Sequence, residues 1–418
     1  MPLLEEDRLV VISADGHCGA DIQGYKPYLE ARFHDQFDAW AASYSDAWMA
    51  MDTIVGGTRG MGVASTLDPV NWESTKRQEM LEEQGVAAEI LFPNTVPPFY
   101  PSGAISAPGP RSREEYAKRL AGIRAHNRWL ADFCGEAPGR RGGIAQVFLN
   151  DIDDAVSEVC WAKEHGLLGV LLPADHFHGL VNLYYPQFDP LWEACAALDM
   201  PVHRHGIIPS EASSATTGSG ASAVGLIEAL FFAHRAVAHM VLGGVFERFP
   251  TLKFVESEVN AAWAVSYLNA LDSFGAEATV PGTVQYKFGR DAFAQLSLKP
   301  SEYGRRNMYF GSFLDADDVA SRHDLGIDRV MWAADFPHHE GTWPWTRKAL
   351  RANFAQLPEG EIRQLTSVNA AACYGFDLGA LQPVAARIGP TLSEVQTPLG
   401  AEEFPSYPDE TICDTFAP

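Results

Sequence analysis

Cysteine is scarce in this sequence, and the few cysteines present are widely separated. The chain has 418 residues and six cysteines, none of which forms a CxxC pair. They are Cys18, Cys134, Cys160, Cys195, Cys373 and Cys413. So few thiols in a chain of this size exclude both the disulfide framework of small secreted domains and a zinc ribbon. We therefore expect reduced thiols and a cytoplasmic protein.

Basic residues and long apolar runs are also lacking. The chain carries 31 Lys and Arg against 54 Asp and Glu, which gives a net charge of −23. This imbalance disfavours a surface for a phosphate backbone, so we expect no nucleic-acid partner. No stretch reaches the roughly 18 consecutive apolar residues of a membrane span. The N-terminus also lacks the basic and apolar regions of a signal peptide. We expect a small-molecule substrate and no membrane partner.

Short apolar runs alternate with stretches of helical character from one end of the chain to the other. The eight runs that we predict as strands are Leu9–Ser13, Ala88–Phe92, Gly143–Phe148, Leu168–Leu172, Pro201–Arg204, Lys253–Ser257, Asn307–Phe310 and Arg329–Ala333. Their continuous Val, Ile and Leu content is typical of parallel strands that are buried on both faces. Eight such strands interleaved with helices predict an α/β fold, a single (β/α)8 TIM barrel over residues 1–418.

Two segments are too long to be simple connections. The insertion at 18–74 follows the first predicted strand, and the Pro- and Gly-rich loop at 93–110 follows the second. Because barrel enzymes build their sites at the carboxyl ends of the strands, we expect these two loops to line a site. The extended C-terminal tail at 380–418 is expected to wrap the surface.

Aromatic residues in the loops are candidates for binding a substrate. Phe99 and Tyr100 lie in the Pro-rich loop, and Trp343 follows the last predicted strand. Together they would form an apolar rim around the barrel mouth. Ordinary packing of the loops explains these residues equally well.

Acids and histidines recur at the ends of the first and fifth predicted strands. Asp15 and His17 follow the first strand, and His203 and His205 end the fifth. In extended backbone, residues two apart point to the same side, so each pair could hold one cation. Taken alone, each pair is also explained by a turn aspartate or by buried histidines that pair with carboxylates.

The sixth and eighth strands end with further candidates. Glu256 and Glu258 interrupt an apolar run, and a buried carboxylate needs a counter-charge or a metal. Asp335 ends the eighth strand and is followed by His338. The carboxyl ends of barrel strands meet at one rim, so these residues together predict a metal site. Its predicted ligands are Asp15, His17, His205, Glu258 and Asp335.

Five segments of the chain resemble the amidohydrolase superfamily, in the branch that includes aminocarboxymuconate-semialdehyde decarboxylase. They are VISADGH, QFDPLWEACAALDMPVHRHG, GGVFERFPTLKFVESE, MWAADFPHHEGTWP and SVNAAACYGF. The resemblance implies metal ligands at Asp15, His17, His205 and Asp335. It also implies that Asp335 transfers protons and that His203 at most supports a ligand without binding the metal. Because dimers are common in the family, it implies a homodimer as well.

Two positions depart from the pattern of this family. Asp15 stands where members usually have a histidine, and Glu258 stands where many have another. Oxygen donors shift the preference away from zinc and toward iron or manganese. No lysine ends the fourth strand to bridge two metals, although Glu258 could do so. Glu89 could orient a ligand histidine or form a salt bridge. Further candidate ligands are Asp175, His176, His178, His338 and His339.

The motifs DGH, EILFPNTVPPF and DFPHHEGTWP, with Glu258, resemble a smaller group of amidohydrolase-like barrels. This group is exemplified by the nonheme diiron monooxygenase of platensimycin and platencin biosynthesis. The resemblance implies an oxygen-dependent monooxygenase of secondary metabolism with two Fe ions, in which Asp335 and His338 are catalytic. Its substrate would be apolar and linked to coenzyme A as a thioester. A local basic cluster could bind the CoA phosphates or form a solvated helix face. It comprises Arg111, Arg113, Lys118 and Arg119.

Two other functions remain open from the sequence. A hydrolase or nonoxidative decarboxylase would use one Zn or Mn, either to activate water or to stabilise negative charge on the substrate. A barrel that has lost catalysis and serves as a binding protein is less consistent with the donors at all five predicted ligand positions.

Overall fold

The chain forms a barrel of parallel strands in the computed structural model, which describes residues 8–45, 68–94, 96–101, 107–174, 180–206, 220–407 and 409–417. Within these ranges the strands are β1 (Ile12–Ser13), β2 (His17–Cys18), β3 (Ala88–Pro93), β4 (Arg141–Gln146), β5 (Gly169–Leu171), β6 (Val202–His205), β7 (Phe254–Ser257), β8 (Met308–Ser312) and β9 (Val330–Trp332). The candidate ligands Asp175, His176 and His178 lie outside the described residues, as does the part of the insertion at 46–67.

The strands form one parallel sheet that closes on itself. Its order is β1-β3-β4-β5-β6-β7-β8-β9, and β2 also pairs with β3, so β1 and β2 are two parts of the same barrel strand. The first and last strands meet where the Ala14 N–H donates to the Trp332 carbonyl oxygen at 3.0 Å. Gly16 and Phe336 form a parallel bridge just beyond. The predicted (β/α)8 barrel is confirmed, with small differences at the strand ends.

Helices alternate with the strands and cover the barrel. Among the described residues they are α1 (His34–Ala42), α2 (Ser74–Glu83), α3 (Arg113–Gly135), α4 (Ile152–Glu164), α5 (Asp189–Ala197), α6 (Gly220–Leu242), α7 (Val245–Arg248), α8 (Trp263–Ala278), α9 (Val284–Phe293), α10 (Pro300–Asn307), α11 (Ala316–Leu325), α12 (Thr346–Phe354), α13 (Glu359–Arg363), α14 (Asn369–Tyr374), α15 (Leu378–Ile388) and α16 (Leu392–Val395). Local capping fixes several ends. Asp151, for example, accepts hydrogen bonds from two backbone N–H groups of the first turn of α4.

The lower end of the barrel is filled by the C-terminal helices. Inward-facing strand residues such as Ile90 and Met331 form one buried cluster with Tyr374 of α14 and Leu381 of α15. The Tyr374 hydroxyl lies 3.1 Å from Nε2 of His203, below the rim. Because this end is occupied, a site in the barrel has to form at the rim where the strands end.

The segment after α15 packs against the outside of the molecule and reaches the upper rim. Helix α15 continues to Ile388, so the C-terminal tail begins after this helix and not at residue 380. Cys413 and Phe416 pack against Phe313 in a small buried cluster. The Thr415 hydroxyl donates to the carbonyl oxygen of Leu314, which follows β8. The tail therefore supports a loop beside the candidate site.

Helix α6 is apolar over an unusual length. By length and composition alone, Ala223–Leu242 could cross a membrane. Val237 and Met240 are buried in the core between strands and helices, whereas Ile227 and Phe231 are exposed. A core helix of a barrel passes the same test, so this feature is weak evidence for a membrane span.

Candidate metal centre

The predicted ligands come together at the upper rim of the barrel. Asp15 lies in the break between β1 and β2, His17 is the first residue of β2, and Asp335 follows β9. His17 Nε2 lies 3.2 Å from Asp335 Oδ1 and 3.4 Å from Asp15 Oδ1. His205, the last residue of β6, places its Nε2 3.4 Å from the same Asp15 carboxylate. Residues far apart in sequence thus form one cluster of imidazoles and carboxylates.

Glu258 completes this cluster from the end of β7. Its Oε2 lies 3.2 Å from His205 Nδ1 and 4.0 Å from His17 Nε2. Glu258 and Asp335 both adopt left-handed backbone, with φ of 54° and 53°. Such backbone is strained for residues other than glycine, and strained residues cluster at functional sites. Hydrogen bonds from Glu258 N–H to Gly311 O and from Asp335 N–H to Asp15 O hold the two turns.

His338 joins the cluster from the loop after β9. Its Nδ1 lies 3.1 Å from Asp335 Oδ1, and its ring stacks on the His17 ring at 3.8 Å. Within the described residues, two overlapping sets of donors could each hold an ion, with all donor atoms of a set within 4.8 Å of one another. The first set is Asp15, His17, His205 and Glu258, and the second is His17, Glu258, Asp335 and His338.

The donor geometry fits a divalent cation. Two donors about 2.1 Å from a shared ion lie about 3.0–3.4 Å apart, which matches the separations above. Several of these buried atoms have no hydrogen-bond partner among the described residues: Asp15 Oδ2, His17 Nε2 and both carboxylate oxygens of Asp335. Leaving such atoms without a partner is costly, and an ion between them removes the cost. Because an imidazole nitrogen has one lone pair, only one ion can bind His17 Nε2, which both sets use.

Each imidazole is oriented by a hydrogen bond on its other nitrogen. His17 Nδ1 lies 3.2 Å from the Pro93 carbonyl oxygen, and His205 Nδ1 lies 2.9 Å from that of Gly206. His338 Nε2 lies 3.3 Å from Asn94 Oδ1. A proton on each of these nitrogens leaves the lone pair of the other nitrogen directed into the cluster, as a metal ligand requires.

Burial sets the protonation of the cluster. Burial lowers the pKa of His17 to about 4 and that of His338 to about 4, so both rings are neutral at pH 7 and can donate to a metal. Burial raises the pKa of Asp335 to about 6. The pKa of Glu258 is raised well above its usual range by burial and by the charges of Asp335 and Glu340. A bound cation would offset the repulsion between these neighbouring carboxylates.

His203 lies outside both donor sets. Its Nδ1 lies 3.2 Å from the Val170 carbonyl oxygen, and its Nε2 contacts the Tyr374 hydroxyl below the rim. Replacement by glutamine is therefore expected to leave the metal content unchanged. The loss of one buried hydrogen bond should cost about 1 kcal/mol of stability. Elemental analysis with thermal unfolding checks this, and loss of a metal equivalent would contradict it.

The predicted substrate-binding aromatics pack against the protein. The Phe99 ring lies 6.0 Å from that of Phe33 and 6.2 Å from that of Trp40. The Arg119 guanidinium lies 4.3 Å from the centre of the Tyr100 ring. Trp343 packs beside Phe336 at 6.0 Å. The described contacts are those of loop packing, and the substrate role of these residues stays a prediction.

Two cations of the predicted basic cluster are paired within α3. Lys118 lies 3.6 Å from Glu114, and Arg119 lies 3.4 Å from Glu115. Arg119 also donates to the Pro108 carbonyl oxygen and is buried. These pairs resemble a helix face with i,i+4 ion pairs rather than a phosphate site.

Sequence reasoning missed Asn94 and Arg77, which hold the ligands in place, although it named Glu89 as a possible salt-bridge partner. Asn94 contacts His338, and its side-chain N–H donates to Asn71 Oδ1 at 2.6 Å. Arg77 forms a bidentate ion pair with Glu89 at 2.7 and 2.8 Å behind the cluster. The position of Asn94 directly after β3 was the one available signal.

The fold and the cluster together define an enzyme of the barrel class that binds metal at the carboxyl ends of its strands. A family model described as Amidohydrolase matches residues 95–376, which is more than half of the chain. The chain therefore belongs to the amidohydrolase family.

Similar proteins are decarboxylases of aromatic acids. The chain is 22% identical over 315 residues to the gamma-resorcylate decarboxylase of Polaromonas sp., covering 70% of this chain and 87% of that protein. The structure of 5-carboxyvanillate decarboxylase from Sphingomonas paucimobilis matches with a TM-score of 0.58 and 22% identity, covering 88% of this chain and 100% of that one. The enzyme of the same name from Novosphingobium aromaticivorans, complexed with manganese and 4-hydroxy-3-methoxy-5-nitrobenzoic acid, matches with a TM-score of 0.58 and 18% identity over 88% and 97% of the two chains.

The prediction of a diiron monooxygenase is therefore wrong. The named relatives are decarboxylases rather than oxidoreductases, and a solved structure similar to this chain holds manganese rather than iron. Two physical reasons explain the error. A set rich in carboxylates suits manganese as well as iron, so it does not identify the metal. The two donor sets also share His17 and Glu258, so they do not supply separate ligands for two ions. The predicted CoA-linked substrate has no support.

Proposed function

We propose that this protein is a metal-dependent nonoxidative decarboxylase of a hydroxylated aromatic acid. The observation that carries the proposal is the single cluster of oriented imidazoles and buried carboxylates at the rim of the barrel. The similarity to gamma-resorcylate decarboxylase supports the substrate class.

One divalent ion, manganese or zinc, would be held by Asp15, His17 and His205 of the first donor set together with Asp335 of the second, because Asp15 and Asp335 both approach His17 Nε2. Glu258 lies beside these ligands, with its Oε2 4.0 Å from His17 Nε2. When bound, the ion would polarise the carboxylate or phenolate of the substrate and stabilise the negative charge that develops on the ring. The unpartnered buried oxygens of Asp15 and Asp335 fit this assignment.

Asp335 is the residue that would deliver the proton. Decarboxylation breaks the bond between the ring and its carboxylate, and the electron pair remains on the ring carbon. That carbon takes up one proton as carbon dioxide leaves, so the reaction needs neither oxygen nor a reductant. Asp335 is buried directly beside His17 and His338, so its carboxyl group is held in a fixed position for proton transfer.

His338 would position this acid. Its Nδ1 contacts Asp335 Oδ1, and that oxygen also faces His17. The described contacts to His17 and His338 both involve Oδ1, so Oδ2 is the oxygen that we assign to the proton transfer. His338 is itself fixed by Asn94, so the carboxylate has a defined orientation.

Anaerobic incubation with aromatic acids tests the proposal. The protein loaded with Mn²⁺ is expected to convert 2,6-dihydroxybenzoate or 5-carboxyvanillate to equal amounts of carbon dioxide and the decarboxylated arene. Oxygen should not change the rate. The metal-free protein serves as the control and should release no carbon dioxide. Turnover that requires oxygen, or hydrolysis of esters or amides without decarboxylation of any hydroxybenzoate, would overturn the proposed function.

A further inference from the structure

Arg77 is a fully buried cation directly behind the metal centre. It lies on α2, and its side chain has no exposed surface. Its Nε donates to Glu89 Oε1 at 2.8 Å and its Nη2 to Glu89 Oε2 at 2.7 Å. Glu89 lies on β3, the strand that pairs with both parts of the first barrel strand. The ion pair is therefore anchored in the wall of the barrel.

The same guanidinium binds the backbone of the two segments that carry ligands. Its Nη1 donates to the His17 carbonyl oxygen at 2.8 Å, and its Nη2 donates to that of Phe336 at 3.2 Å. Phe336 directly follows Asp335. A longer bond at 3.4 Å reaches the carbonyl oxygen of Val70, at the end of the insertion. All five N–H groups of Arg77 thus have an acceptor, which a lysine with three could not match.

The two ligand segments lie too close together to tolerate a shift. The His17 N–H donates to the Phe336 carbonyl oxygen at 2.7 Å, so that oxygen accepts from both His17 and Arg77. A Cβ atom on Gly16 would lie 3.2 Å from the Phe336 oxygen and 3.4 Å from Glu89 Oε2. Small changes in the position of either segment would therefore move His17 or Asp335 away from a shared ion.

We infer that the Arg77–Glu89 pair positions the metal ligands by holding the backbone of His17 and Phe336 in register. Neither residue touches the ion or the substrate. The inference rests on the metal centre of the proposed function, but it does not depend on which acid is the substrate. Removing one partner of a buried ion pair leaves the other charge uncompensated and lowers stability, so a purely structural role predicts an effect on stability alone.

Arg141 provides a matched control because it is a second buried arginine next to Glu89. Its Nε lies 3.7 Å from Glu89 Oε1. Its other N–H groups donate to Ser74 and to the Phe133 carbonyl oxygen, and no described contact joins it to His17 or Phe336. Arg141→Met therefore removes a buried cation of the same kind without removing a contact to a ligand segment.

The test uses the full chain and compares two quantities measured without substrate, the Mn²⁺ affinity and the thermal stability. Arg77→Lys and Arg77→Met are expected to weaken Mn²⁺ binding by about 10- to 100-fold, the range for residues that orient metal ligands. Arg141→Met should lower the melting temperature but leave the affinity at the wild-type value. At saturating Mn²⁺, the Arg77 variants should recover most of the wild-type kcat, because the catalytic groups are intact.

Several outcomes would overturn the inference. It fails if the Arg77 variants fold and bind Mn²⁺ as the wild type does, or if Arg141→Met weakens binding equally. It also fails if neither Arg77→Lys nor Arg77→Met folds, because the pair is then needed for folding itself. If the wild type binds neither Mn²⁺ nor Zn²⁺, the proposed metal centre is wrong and the inference fails with it. Normal Mn²⁺ binding without decarboxylation would overturn the proposed function and leave the role of Arg77 intact.

Discussion

Asp335→Asn is expected to lower the rate of decarboxylation by about 10²- to 10⁴-fold, the usual contribution of a positioned acid. Asparagine has nearly the same shape as aspartate, so the substitution should leave the packing beside His17 and His338 intact. Its amide cannot deliver the proton that the ring carbon needs. The measurement is kcat per bound metal at saturating Mn²⁺, so that weaker metal binding is not mistaken for lost chemistry.

Asp328→Asn is the control for this substitution. Asp328 is exposed and pairs with Arg329 at 3.3 Å on the surface, so its replacement should change neither kcat nor metal content. If Asp335→Asn with a full complement of metal turned over at close to the wild-type rate, another group would have to supply the proton. Glu258 would then be the next candidate, because its pKa is also raised by burial.

The second large effect is expected from His17→Ala, which should abolish Mn²⁺ binding. His17 belongs to both sets of donors, so its removal takes one imidazole ligand from each of them. Loss of a direct ligand should exceed the 10- to 100-fold effect of residues that only orient ligands. Titration of the metal-free protein with Mn²⁺ measures the change, and activity should fall in parallel.

His205→Ala and His338→Ala show which of these two histidines binds the ion together with His17. The proposed assignment predicts that His205→Ala loses the metal, whereas His338→Ala keeps it and has a lower kcat. The opposite result would place the ion between His17, Glu258, Asp335 and His338. Full retention of Mn²⁺ by His17→Ala would contradict both arrangements.

The ligand cluster could be predicted from the sequence because a parallel barrel brings the ends of its strands to one rim. Asp15 and His17, two residues apart, both reach the cluster, as do His205 and Asp335 at the ends of their strands. The predicted ligand Glu258 reaches it as well, but through a left-handed backbone turn that no sequence pattern indicated.

The supporting residues and the chemistry could not be predicted in this way. Arg77 lies in the polar sequence STKRQEMLEE, where an arginine is expected to be exposed, and only the packing of α2 buries it. Phe99 follows two prolines in a loop that suggested a substrate rim, yet its ring packs with Phe33 and Trp40. Donor types alone did not separate oxygen chemistry from decarboxylation, because both use carboxylates and imidazoles.

The filled lower end of the barrel limits the routes by which substrate and products could enter and leave. Because α14 and α15 occupy that end, acid, arene and carbon dioxide would all have to use the upper entrance of the described structure. If the proposed function holds, accumulated arene would compete with the acid substrate for the same site and would act as a competitive inhibitor. When carbon dioxide and arene are in excess, the same residues should catalyse the reverse reaction. The protein should therefore also carboxylate phenols under carbon dioxide pressure.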